Sequence, residues 1–105
     1  MKTLVSATHR AYSGRVRDAV EAKLALLGKY FDRILSVRAL LDRQNDVHRV
    51  ELVAHVGRGA TLVVDASSDT FDLALDQALT RMKSLLTRHK RRLVQRHRRV
   101  KKPNR

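Results

Sequence analysis

Hydrophobic positions change period several times along the chain, and each change predicts an element. Residues 2–7 (Lys-Thr-Leu-Val-Ser-Ala) are short and rich in strand formers, which predicts a first strand. After Ser13, residues Val16, Ala19, Val20, Lys23, Leu24 and Leu27 recur at spacings of three and four, so the five apolar ones share a helix face. Ser13 is the natural N-cap and Gly28 the natural stop. Tyr30 and Phe31 then anchor the helix end to the core. A second strand is expected over 34–42, with turn chemistry in Gln44-Asn45-Asp46.

From 48 to 56 the alternation is clean. Val50, Leu52, Ala54 and Val56 face one side, and Arg49, Glu51, Val53 and His55 face the other. Gly57-Arg58-Gly59 predicts a hairpin turn and Ala60 to Ala66 the returning strand. Ser67-Ser68-Asp69 is then expected to cap a last helix. Its stripe is Phe71, Ala74, Leu75, Ala78, Leu79, Met82, Leu85, Leu86, His89 and Leu93. Running from 70 to about 97, that helix would be roughly 40 Å long and would project past a small sheet.

The expected fold class is α+β. It is a single domain of order β-α-β-β-β-α, with two helices packed on one face of a four-stranded sheet. Residues 1–97 form the domain, and 98–105 a basic, disordered tail, because charges crowd it and Pro103 ends any helix.

Charge sharpens this picture. The 105 residues carry a net +13, yet 43% are hydrophobic, so the chain folds instead of behaving as a disordered polycation. Residues 1–80 hold eleven Lys/Arg against ten Asp/Glu; residues 81–105 hold twelve Lys/Arg and no acid. Such asymmetry calls for a polyanionic partner, nucleic acid before an anionic membrane surface. A merely solvated face would interleave both signs. Around the last helix, Arg81, Arg88 and Arg92 line one flank of the stripe, Lys83 and Lys90 the other, and Arg91 points away from the core. Arg88 and Arg92 repel at i, i+4, a cost that phosphates would relieve. Base-reading groups and stacking aromatics are scarce. Contacts to phosphate and sugar, directed by the shape of a folded RNA, are therefore expected.

Other chemistries lack support. The chain has no cysteine, hence no disulfide or thiolate metal site, which suits a reducing compartment. No apolar run approaches a membrane span, and the start lacks a signal-peptide core. His48 and His55 fall on opposite strand faces, and His9 and His97 are isolated, so neither metal nor cofactor is expected. His89 reads equally as a packing residue and as an RNA contact. Asp69, Asp72 and Asp76 suit a helix start better than a catalytic cluster. No small-molecule substrate and no enzyme activity are expected.

Two segments carry a family resemblance. Ala22-Lys23-Leu24-Ala25-Leu26-Leu27-Gly28-Lys29-Tyr30-Phe31-Asp32-Arg33-Ile34 resembles the first helix and strand entry of the ribosome hibernation factors. Ala74-Leu75-Asp76, Arg81-Met82 and Leu86-Thr87-Arg88-His89-Lys90-Arg91-Arg92-Leu93 resemble their second helix. The resemblance implies binding in the channel of the small ribosomal subunit where mRNA and tRNAs sit, through rRNA. Translation would be silenced and idle ribosomes preserved under stress or in stationary phase, in the cytoplasm. By position it implies RNA contacts at Lys23, Arg81, Arg88, Lys90 and Arg92; Lys83 and Arg91 join them on charge alone.

Departures are Leu26 and Ser84, where relatives carry basic residues, Asp72, where an aromatic is usual and Phe71 stands beside it, and Arg91 in place of an acid. The short length and the lack of an acidic extension favour the short hibernation-promoting type. In relatives, that type acts with a separate ribosome modulation factor. The rival expectations are a general double-stranded RNA or DNA module and an interaction subunit that pairs through its sheet face.

Overall fold

Cross-strand ladders organise the molecule, which is a computed structural model describing residues 1–8 and 12–101, with the backbone alone from residue 93 on. Strands β1 (Lys2–Ala7), β2 (Ile34–Gln44), β3 (Val47–Val56) and β4 (Ala60–Ser68) form one sheet in the order β1-β2-β3-β4. β1 is parallel to β2; the other two pairings are antiparallel. Alternation sets the buried face. Val37, Ala39 and Leu41 of β2 lie beside Val50, Leu52, Ala54 and Val56 of β3, and all are buried. β2 and β4 outrun their expected ends at 42 and 66 because Gln44 still pairs with Val47 and Ser68 with His48. Asn45, at φ 56, makes the first hairpin turn in the left-handed conformation that asparagine tolerates.

Helices α1 (Gly14–Tyr30) and α2 (Phe71–Lys101) cover the same face of that sheet, α1 over β1 and β2, α2 over β3 and β4. The expected α+β fold of order β-α-β-β-β-α is thus the one observed. Ser13 caps α1, its hydroxyl accepting from the Val16 N–H at 3.3 Å. Val20, Leu24 and Leu27 are buried and Val16 packs against the core, but Ala19 is exposed, so the apolar stripe is narrower than its spacing suggested.

Gly28 does not end the helix. The chain stays helical to Tyr30, where the Phe31 N–H donates to the Leu27 carbonyl at 3.0 Å. A Cβ on Gly28 would meet the Met1 sulfur at 3.2 Å, so this glycine makes room for the start of β1. Phe31 packs on the core, whereas Tyr30 is 68% exposed and anchors nothing.

Thr70 caps α2, in place of the expected Ser67-Ser68-Asp69. Its hydroxyl accepts from the Leu73 N–H at 3.4 Å and its carbonyl from the Ala74 N–H at 3.2 Å. Ser67 and Ser68 are held in the β4 ladder. Ala74, Leu75, Ala78, Leu79, Met82 and Leu86 are buried, with Phe71, Leu85 and His89 half-buried. Each large side chain fully removed from water, such as Leu24, Leu52 or Met82, contributes about 2 kcal/mol. The helix passes residue 97 and reaches Lys101, so the first residues of the segment expected as a tail are helical. Residues 102–105, with Pro103, lie outside the described residues, as do His9 and the side chains of Leu93 and His97.

Candidate nucleic-acid interface

Helical periodicity carries the cations of α2 onto solvent. Arg81, Lys83, Arg88, Lys90, Arg91 and Arg92 are all exposed, and so is Lys23 on α1. They do not form one flat patch. The Arg81 guanidinium donates to the backbone carbonyl of Asp65, on the outer strand β4. That contact orients the helix: the flank of Arg81, Arg88 and Arg92 overhangs the edge of the sheet. It also occupies a carbonyl that an edge strand would otherwise leave open to another chain. The opposite flank faces α1. There Asp76 accepts an ion pair from Lys23 at 3.6 Å, both side chains being about half exposed. Asp76, Lys83 and Lys90 lie within about 40° of one another around the helix, so the Lys23 ammonium and its acid share a groove with two further lysines.

Lys23 therefore stands apart from the Arg81 side of the candidate set, and it is paired. Nothing in the spacing of Lys23 and Asp76 announces this pair, because it depends on how two helices lie on the sheet. An acid in the second turn of a helix whose far end is wholly cationic was the available signal.

A second cluster escaped the sequence reading. The Tyr12 hydroxyl lies 2.7 Å from His48 Nδ1 and 3.2 Å from the Asp42 carbonyl oxygen. The Phe71 ring closes the group, 5.2 Å from Tyr12 and 6.1 Å from His48 between centroids. Burial pushes the Tyr12 phenol above its ordinary pKa; Arg43 opposes this and Asp42 adds to it. The trio pins the segment before α1, the β2–β3 hairpin and the start of α2 together. It sits at the end of the sheet away from the cationic stretch of α2. Phe71 is thus held in the cluster, while Asp72 is exposed.

His55 lies on the other sheet face from His48, its Nδ1 3.2 Å from the Thr61 hydroxyl. Among the described residues no three His, Asp or Glu side chains gather as metal ligands. No helix among them is long and apolar enough to cross a membrane. The outer sheet face carries Arg49, whose guanidinium binds the Asp65 carboxylate at 2.9 Å, a contact that raises the Arg49 pKa.

These features define a class: a small basic α+β domain that presents an acid-free stretch of its second helix to solvent. The chain belongs to the family described as "Sigma 54 modulation protein / S30EA ribosomal protein", which it matches over residues 4–94. It is 28% identical over 96 residues to the ribosome hibernation promoting factor of Azotobacter vinelandii, covering 91% of this chain and 89% of that protein. It is 34% identical over 82 residues to the factor of the same name from Escherichia coli, covering 76% and 83%. A ribosomal subunit interface protein from Coxiella burnetii shares the fold, with a TM-score of 0.73 at 18% identity, over 86% of this chain and 98% of that one. The resemblance read from residues 22–34 and 74–93 is borne out: this is a ribosome hibernation family, a family of translation regulators and not of enzymes.

Proposed function

We propose that the protein silences translation by lying in the small-subunit channel for mRNA and tRNA, held there by rRNA, and so preserves idle ribosomes under stress or in stationary phase. It acts in the cytoplasm and catalyses no reaction. The observation that carries the reading is the cationic stretch Arg88–Arg92, which follows Leu86, the last buried side chain described on α2. Two relatives named as hibernation promoting factors support the ribosomal address. Lys23, Arg81, Lys83, Arg88, Lys90, Arg91 and Arg92 contact phosphate and sugar. A separate ribosome modulation factor joins the complex when ribosomes pair.

Co-sedimentation with purified bacterial ribosomes tests this. Binding is expected at low salt and should fall steeply as salt rises, because each neutralised phosphate releases counterions. Ribosomes already loaded with mRNA and tRNA should exclude the protein. Arg88→Gln, Lys90→Gln and Arg92→Gln together should weaken binding roughly 100-fold, with the unfolding transition unchanged or raised, since like charges are removed from one helix. Equal affinity for random RNA or DNA duplexes would favour a general nucleic-acid module instead.

A further inference from the structure

The hairpin joining β3 to β4 carries a cation that lies outside both helices. Residues Gly57–Gly59 turn the chain through left-handed backbone, with Arg58 at φ 71, ψ 25 and Gly59 at φ 77. Glycine adopts this left-handed backbone freely; arginine does so against a steric cost. Arg58 is exposed, and among the described residues its guanidinium makes no ion pair. Arg33 stands directly behind it. The Gly57 N–H donates to the Arg33 carbonyl at 2.9 Å, and a Cβ on Gly57 would lie 3.9 Å from the Arg33 Cβ. Lys29, in the last turn of α1, adds a third cation to this end of the sheet.

The course of α2 brings its own cations to the same end. Phe71 starts beside His48, whose strand partner Ser68 closes β4 at the far end. Arg81 then reaches Asp65, partway along that strand. Ala60, five residues further toward the hairpin, is about 16 Å on, a distance α2 covers by about residue 92. The flank of Arg88 and Arg92 overhangs β4, the strand that leaves the hairpin. Residues 28–34 and 56–61, together with the stretch 84–92 that this course carries toward the hairpin end, contain one acid, Asp32.

We propose that Arg58, with Arg33 behind it, is a second phosphate-binding point, gripping an RNA backbone that runs from the Arg88–Arg92 flank of α2 across the hairpin end of the sheet. The proposal rests on the ribosomal reading above and extends its contact surface beyond the helices. It gives a strained arginine a reason to stand where glycine would fit.

Arg58→Gly separates fold from contact, because it removes the charge while relaxing the backbone. Affinity for purified ribosomes is measured over a salt series for the native protein, Arg58→Gly, Arg58→Lys and the double variant Arg58→Gly/Gln44→Arg. The double variant restores the net charge at the exposed opposite hairpin. Arg58→Gly should unfold no earlier than native, yet bind roughly three- to tenfold more weakly, with a salt slope shallower by about one. Arg58→Lys should bind close to native, and the double variant should stay weak. Native affinity and slope in Arg58→Gly, or full recovery in the double variant, would overturn the proposal and leave the ribosomal reading standing. A native protein that ignores ribosomes would overturn both.

Discussion

The Tyr12 hydroxyl can donate to the Asp42 carbonyl while accepting from His48 Nδ1–H, or donate to an unprotonated Nδ1. The 2.7 Å contact therefore suits either tautomer of the imidazole. Tyr12→Phe keeps the ring against Phe71 and deletes this bonding. It should lower stability by about 1 kcal/mol at neutral pH. A phenol whose pKa is higher folded than unfolded holds its proton more tightly in the native state. Its contribution is complete below about pH 10 and is lost as the pH rises beyond that. Denaturant midpoints of both proteins, taken at pH 7 and in alkali, should therefore converge as the pH climbs; a constant gap would contradict the assignment. None of this was legible in the chain. Tyr12, His48 and Phe71 are far apart in sequence, and hydrophobic spacing reports which face a residue takes, not which partner it meets across elements.

Between elements, the groove of α1 and α2 holds both an attractant and its competitor. For the proposed RNA contact, Lys23 would have to release Asp76. Asp76→Asn should change stability by less than about 1 kcal/mol, because the pair is exposed. It should strengthen ribosome binding severalfold, and weaker binding by this variant would show that Asp76 orients Lys23 for its contact. The elements themselves were largely readable. β3 was legible because its apolar positions alternate, although Val53 on the outer face is buried as well, and α2 because its stripe persists for several turns. Ends were less readable for identifiable reasons. Ser67, Ser68, Asp69 and Thr70 are all cap formers, and the β4 ladder decides among them by holding the first two. Gly28 looks like a stop, yet it serves the close approach of Met1. Leu26 is 46% exposed and belongs to no part of the core.

At the scale of the whole molecule, the separation of a near-neutral body from an acid-free end was written in the composition. How that end is aimed was not. The direction of α2 against β4, which carries the Arg88–Arg92 flank toward the hairpin end, depends on tertiary packing alone. One consequence concerns time rather than affinity. From Leu86 to Lys101 the helix extends by roughly 22 Å, well beyond the Debye length of about 8 Å at physiological salt. The field at its far end is thus screened from the acids of the body, and a polyanion approaching from that side meets almost pure attraction. Stopped-flow mixing with ribosomes should show an association rate that drops steeply with added salt, while the dissociation rate responds less; an association rate indifferent to salt would refute this. Such an arm widens the target for productive encounter, so that at low salt the association rate should approach the diffusional range.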